Sequence, residues 1–371
     1  MSGFDVTVVG GGLVGAAIAY GLAGKGLKTA ILDEGDIAHR ASRGNFGLVW
    51  VQGKGHGRPE YATWTLTSAE LWHDFAQQLQ DETGIDVEHS NQGGVFLNLS
   101  AEEEVGHRAV LEDIKRSLGN RPYSFEFMDR AALLDWLPGL GPDVVSGCYS
   151  PHDGHANPLK LLRALHQAFQ ARGGQYRPHH PVTAMTAING GVRLTTPDGD
   201  IESAKVVIAA GLGTQRLAAM AGLYAPVGPN QGQLLITERV DAQLKLPTNL
   251  VRQTGEGGLM LGFSNEEAGY DTMTRPVLLK NIAWRCRQAF PFIGGLKVVR
   301  SWAALRIMTP DGFPIYDRAP EMPGVHVATC HSGVTLAAVH AQRLPDWIAG
   351  AALPDDMTCF ETGRFNVQAV S

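Results

Sequence analysis

Cysteine is scarce in this 371-residue chain: Cys148, Cys286, Cys330 and Cys359 stand singly. The absence of any Cys-x-x-Cys pair excludes the usual zinc and iron–sulfur ligand spacings within the chain, so no metal site is expected. Isolated thiols suit a reducing compartment, and a cytoplasmic protein is expected. No apolar run is long enough to span a bilayer. A first strand beginning at about residue 4 argues against a secretory leader. Charge is modest: charged residues make up 18%, and the net charge of -6 argues against a general nucleic-acid binder. Internal repeats and low-complexity tracts are lacking. What is present is an ordinary apolar content of 44%. The chain is too long for one small core, so two domains, or one with a large insertion, are expected.

The first thirty residues carry the clearest pattern. An apolar strand, Phe4 to Val9, runs into Gly10-Gly11-Gly12-Leu13-Val14-Gly15, an Ala-rich helix to about Gly24, and a second apolar strand ending at Leu32-Asp33. Strand, Gly-x-Gly-x-x-Gly turn, helix, strand and acid form the dinucleotide-binding βαβ fingerprint. Gly10 permits the tight turn, Gly12 the approach of a pyrophosphate, and Gly15 close packing of helix on strand. The helix start offers unpaired N–H groups to phosphates. Asp33, with Glu34 beside it, stands where a carboxylate takes the ribose hydroxyls of an adenosine.

The rest alternates in character. The polar stretch 36–56 contains Ala41-Ser42-Arg43-Gly44-Asn45-Phe46-Gly47-Leu48, which mixes phosphate-binding groups with glycines. The spacing of Leu66, Leu71, Trp72, Phe75 and Leu79 predicts a helix from Thr65 to about Gly84. A strand over Gly93–Leu99, an exposed charged helix over Ala101–Leu118 and short elements to Leu137 suggest an inserted layer. A helix over Leu159–Arg172 follows. Pro181–Met185 and Val192–Thr195 read as hairpin strands, with Pro197-Asp198-Gly199 as the turn. The apolar strand Ala204–Gly211 predicts a return to the central sheet, ending at a ligand. Strands over Gln231–Thr237, Leu259–Phe263 and Val298–Leu305, and a helix over Thr274–Phe290, suggest an antiparallel second sheet. A last strand, Val325–Thr329, leads into Ser332-Gly333-Val334-Thr335-Leu336 and a helix to about Gly350. The amides of Val334, Thr335 and Leu336 would suit a site where negative charge develops.

Taken together, Gly10-x-Gly12-x-x-Gly15 with Asp33, the Ser42-x-x-Asn45-x-Gly47 segment, Ile208–Gly211, Trp302–Arg306 with Thr309–Ile315, and Gly333–Ala337 resemble, in order, the D-amino-acid oxidase/glycine oxidase/sarcosine oxidase family of FAD enzymes. The resemblance covers essentially the whole chain. It implies an α/β architecture: a Rossmann-like FAD-binding domain from residues 1–85, 150–225 and 312–371, interleaved with an α+β substrate domain on an antiparallel sheet from 86–149 and 226–311. It also implies that Gly10, Gly12, Leu13, Val14 and Gly15 hold the FAD pyrophosphate and Asp33 and Glu34 the adenosine end. Ser42 and Arg43 would sit at the phosphates, and Asn45, Gly47 and Leu48 near the isoalloxazine. Val182 would lie at the adenine, Ala210 and Gly211 beneath it, and Gly333, Val334, Thr335 and Leu336 at the pyrimidine end.

In the glycine-oxidase-like pattern an Arg after the Trp-x-x-Leu run fixes the substrate carboxylate, and this places Arg306 in the catalytic site. A guanidinium fork orients a carboxylate bidentately and would hold the substrate Cα–H over the flavin N5. Arg252 is a candidate for a second substrate carboxylate, with a surface Arg as the alternative. His56 and Tyr270 are candidate pocket residues.

No Cys lies near the Arg306 segment, so non-covalent FAD is expected. Met260 stands where sarcosine oxidases place an oxygen-activating Lys. The Cys330–Leu336 segment also resembles the flavin-carrying β subunits of opine, D-hydroxyproline and proline dehydrogenases and of hydrogen cyanide synthase, which work with an α subunit and a small [2Fe–2S] protein. The expected activity is FAD-dependent oxidation of the C–N bond of an amino acid, imino acid or opine, with electrons leaving through such partners. An oxygen-using glycine/sarcosine/D-amino-acid oxidase is the alternative, and a non-catalytic flavin-binding scaffold a second one.

Overall fold

The computed structural model describes residues 3–35 and 41–365; the opening of the polar stretch, at 36–40, lies outside them. The organising element is the strand Phe4–Val9, parallel to Thr29–Leu32 on one side and to Gly199–Ile208 on the other. The sheet continues through Gln175–Arg177 at one edge and Val325–Thr329 and Ile315–Arg318 at the other, with the last strand antiparallel. Its inner strands are apolar on both faces because both are covered, as a parallel sheet requires. The alternation is legible residue by residue: Ile31 and Val207 join one core, while Ala30, Leu32, Val206 and Ile208 join the other.

The helix Leu13–Gly24 lies on the first face. It has little amphipathic contrast because its neighbours approach from several sides; a Cβ on Gly21 would sit 2.0 Å from the carbonyl oxygen of Ala341. Pro158–Ala171 packs beside it, capped by Asn157, whose side chain accepts from the amides of Leu159 and Lys160.

A second sheet, antiparallel throughout, runs Val251–Gln253, Gly258–Gly262, Gly228–Arg239, Val298–Met308. The helix Pro276–Ala289 covers it, and Ile282, Cys286 and Phe290 share a core with Leu235, Leu259 and Leu261. Gly94–Asn98, Ser146–Ser150 and Glu126–Asp129 form a third sheet, and Leu48–Val49 pairs with Gly154–His155.

Three expectations need correction. The helix expected from Thr65 starts a turn and a half earlier, at Pro59, whose fixed φ suits a first turn. The hairpin partners are Ala184–Ile188 and Gly191–Thr196, so the turn between them is Asn189-Gly190, with Gly190 at φ 83°. Pro197–Gly199 instead joins the second of these strands to Gly199–Ile208. The helix expected from Ser332 begins only at Ala337 and breaks at Arg343 into Ala337–Gln342 and Leu344–Ala349. Pro345 cannot donate the backbone bond that continuity would need.

Candidate active site

The turn Gly10–Gly15 is built so that no side chain intrudes. Gly10 has φ 113°, and a Cβ there would lie 2.3 Å from the Ala209 carbonyl oxygen. A Cβ on Gly15 would lie 1.9 Å from the Gly10 carbonyl oxygen. The strand end Ala209-Ala210 is therefore pressed against the turn, and Gly211 follows at φ 57°. Gly12 caps the helix with no side-chain bond of its own; the Ser42 hydroxyl accepts from the Leu13 amide at 2.9 Å. Asp33 is buried, and its two oxygens accept from the Gly11 amide at 2.6 Å and the Gly35 amide at 3.0 Å. A carboxylate has further lone pairs for ribose hydroxyls. Glu34 is exposed beside it. His166, which the sequence reading passed over, meets the Gly11 carbonyl at 2.8 Å. Val182 is buried nearby in the fold's second core, its carbonyl accepting from Arg216. Arg43 is exposed, on a small secondary cavity with Arg163 and His166. An uncluttered helix start, a hydroxyl and a buried acid together fit a dinucleotide.

Beyond this turn lies a cavity of about 1000 Å³. Its walls include the segment Gly44–Lys54, the antiparallel sheet with Asn230, Leu234 and Arg306, the loop residue Glu267, and the turn His331–Thr335. Asn45 accepts from the Gly47 amide at 2.7 Å, folding the first wall, and Gly47 takes φ 91°. Leu48, Val334 and Thr335 line the cavity directly. The Leu336 amide is spent on the Ser332 carbonyl, so it is not available to a ligand as expected. Among the described residues the amides of Gly333, Val334 and Thr335 have no acceptor. They belong to a turn rather than to a helix, so their value lies in their own N–H dipoles.

Arg306 lines the cavity from the strand Val298–Met308. Its fork donates to Asn230 Oδ1 at 2.7 Å, Gln231 O at 3.1 Å and Ser264 O at 2.7 Å, and lies over the Phe263 ring. None of these partners is a carboxylate, so the charge is positioned without being neutralised by contact. Burial lowers its pKa, with Glu266 opposing. Gly232 on the neighbouring strand makes room, since a Cβ there would lie 2.3 Å from Nη2.

The other three substrate candidates fall elsewhere. Arg252 is 2% exposed, neither on the surface nor in the cavity wall. It donates to the Phe46 carbonyl and to the Met260 sulfur at 2.9 Å, bracing the first wall from behind. Burial brings its pKa down to about 10, and its Nη1 is unpartnered. His56 is exposed and faces Asp113 at 3.4 Å. Tyr270 is 69% exposed. Loop residues whose neighbours are solvent give no pattern by which sequence could place them.

What the sequence reading missed is Lys54, two residues before His56. It lines the cavity and donates to the Ser332 hydroxyl and to Thr335 Oγ1. Burial pushes its pKa down to about 8, with Cys330 and Asp153 opposing. Beside it, Tyr61 donates to Ser332 Oγ at 3.0 Å, and His331 Nδ1 meets the same oxygen at 3.2 Å. His331 is exposed to the cavity yet enclosed by protein; burial, then Lys54 and Arg306, bring its pKa to about 3, leaving it neutral. Among the described residues no His, Cys, Asp or Glu cluster could hold a metal, and no helix is long and apolar enough to cross a membrane.

Comparison with known proteins agrees with this fold. The family model described as FAD dependent oxidoreductase matches residues 5–347. An opine oxidase subunit from Agrobacterium tumefaciens (strain Ach5) is 43% identical over 364 residues, 98% of each chain. Glycine oxidase of Pseudomonas putida is 27% identical, covering 94% of this chain and 95% of the relative. The crystal structure of glycine oxidase from Geobacillus kaustophilus superposes with a TM-score of 0.90 at 25% identity, over 97% of this chain and 98% of that one.

Proposed function

The chain belongs to the DAO family of FAD-dependent oxidoreductases, and we propose that it is the flavin-bearing subunit of an enzyme that oxidises the C–N bond of an opine or related imino acid. FAD, held non-covalently, supplies the two-electron acceptor. The turn Gly10–Gly15, Ser42 and Asp33 would hold its adenosine diphosphate half. The free amides of Gly333–Thr335 would face its pyrimidine edge. The division into an FAD-binding part (1–85, 150–225, 312–371) and a substrate part (86–149, 226–311) belongs to the same reading, with the ring and the substrate meeting in the cavity.

The observation that carries the reading is Arg306: a part-buried guanidinium, fixed by three neutral acceptors, facing a cavity roomy enough for a tricyclic ring and a small acid. A cation so placed orients a carboxylate-bearing amine, and orientation is a large part of the rate. The opine oxidase relative is itself one chain of a larger enzyme by its name, which supports partner chains for this one; the resemblance suggests an α subunit and a small [2Fe–2S] protein, through which electrons would leave. The buried Met260, with its sulfur on Arg252, supports the same choice over direct use of oxygen. The test is an anaerobic spectral screen of amino acids, imino acids and opines for bleaching of the bound flavin. It is followed by comparing dye reduction with peroxide release, for the chain alone and with co-expressed partners. Bleaching by an opine with slow peroxide release is expected. Rapid peroxide release by the isolated chain would favour the glycine-oxidase-like alternative.

A further inference from the structure

We propose that Lys54, on the wall of the cavity that Arg306 also lines, is its second carboxylate-binding cation, and that it sets a preference for substrates with two carboxylates over those with one. This rests on the reading of the cavity as a site for acid-bearing amines.

The loop that carries Lys54 is rigid. Leu48–Val49 leads into a tight segment in which Gly53, Gly55 and Gly57 all have positive φ. A Cβ on Gly55 would lie 2.3 Å from the Ala62 amide nitrogen, so the loop is pressed onto the first turn of the helix Pro59–Thr83. Buried Asp153 fixes it from beneath, accepting from the amides of Val51 at 2.5 Å and Gln52 at 3.3 Å and from Gln52 Nε2 at 2.6 Å. The Lys54 amide bonds back to Val51 O at 3.0 Å. Lys54 is therefore held by structure rather than waving in solvent.

Its ammonium has three donors, and two go to the hydroxyls of Ser332 and Thr335. Among the described residues no carboxylate lies within ion-pair distance, so an enclosed positive charge points into the cavity without a contacting counter-ion. The Ser332 oxygen takes donors from Lys54 and Tyr61, so its own proton turns to His331 Nδ1. That leaves His331 with its Nε2–H free to donate. Lys54 and His331 thus turn donors toward the cavity, and Lys54 and Arg306 are two cations on its wall. One carboxylate can answer one of them; a diacid answers both.

The test uses FAD-loaded full-length enzyme and two ethers that cannot be oxidised at nitrogen: diglycolate, with two carboxylates, and methoxyacetate, with one. Their binding is read from perturbation of the flavin absorbance. Wild type is expected to bind diglycolate more tightly. Lys54→Met, nearly isosteric but uncharged, is expected to weaken diglycolate by about 10- to 100-fold, the range of a charge-assisted hydrogen bond. Methoxyacetate should change less than about threefold, and Lys54→Arg should restore the preference. Lys54→Gln, which keeps a donor for Ser332, gives the same comparison should the Met variant lose its flavin. Equal weakening of both ethers, or a preserved diglycolate preference, overturns the proposal while leaving the amine-oxidising reading intact. A wild type that binds neither ether and is bleached by no amine overturns both.

Discussion

Replacing Gly15 by Ala tests the dinucleotide turn with a single methyl group. The added Cβ would lie 1.9 Å from the Gly10 carbonyl oxygen and 3.2 Å from Val8 Cγ1. Ordinary contact begins near 3.4 Å, so the helix must back away from the turn by an ångström or more. Helix propensity works the other way, since Ala is favoured over Gly by about 1 kcal/mol in a helix interior. The overlap with backbone decides the sign, because overpacking of this kind costs about 1–3 kcal/mol. The displaced part is the helix start, whose amides would face the pyrophosphate on the proposed reading, so cofactor binding should suffer more than folding. The expected outcome is an FAD affinity lowered by about 100-fold or more, measured by flavin fluorescence on reconstitution, with a smaller fall in the apoprotein melting temperature. The control is Gly106→Ala in the exposed helix Ala101–Ser117, where a Cβ meets nothing within 4 Å. There the propensity term acts alone and the melting temperature should rise. A Gly15→Ala protein with full flavin content and unchanged melting would refute the steric argument.

Arg306→Met should retain FAD but lose turnover by about 1000-fold or more, since it would remove the cation proposed to orient the substrate acid; a variant of near wild-type kcat/KM would show the residue to be structural. Burial raises the Asp153 pKa from 3.8 to about 7. A raised carboxylate contributes stability that is full below its unfolded value and is lost as pH rises to 7, so Asp153→Asn should gain on wild type across that interval, by up to about 4 kcal/mol, and then run parallel above it in denaturant titrations. Burial lowers the pKa of the Lys54 ammonium, which faces Asp153, Cys330, His331 and Tyr61, to about 8, with Cys330 and Asp153 opposing, so diglycolate binding should weaken as pH rises through that value in wild type and stay flat in Lys54→Met. Met260→Lys sets an ammonium against the buried Arg252 fork rather than in the cavity, so it should lower the melting temperature and leave peroxide release unchanged; faster peroxide release would contradict the placement.

The central sheet was legible because its strands are apolar runs ending in glycine or acid, a local signal that burial on both faces imposes. Where local signals compete, the reading slipped. Asn189-Gly190 and Pro197-Asp198-Gly199 are both good turn sequences eight residues apart, and only pairing with Gly199–Ile208 decides which strands each one joins. The segment Gly333–Leu336 has the composition of a helix start, but Thr335 is pulled out of helical company by its neighbours. Its hydroxyl accepts from the Trp50 amide, and its carbonyl from Ser68 and Trp72. Those partners lie more than 260 positions away, beyond any window of periodicity.

Cations show the same limit more sharply. Arg252, Arg306 and Lys54 are each a single basic residue, and nothing in composition ranks them. Topology does. Arg306 and Met260 lie on strands that flank Gly228–Arg239 on opposite sides, and the register pairs Arg306 with Asn230, whose amide oxygen then holds the guanidinium at the cavity. Arg252 pairs with Met260 one strand further out and turns behind Phe46, where it braces the wall. Lys54 and His56 are two residues apart, and an extended strand would send both to the same side. The left-handed turns at Gly53, Gly55 and Gly57 break that alternation, so the first points into the cavity and the second meets Asp113 outside it. The functional difference among these side chains is therefore a property of strand register and loop winding; in the sheet, a one-residue slip would reverse it. The physical content of the site is that placement: two cations brought to face one cavity, and a third kept out of it.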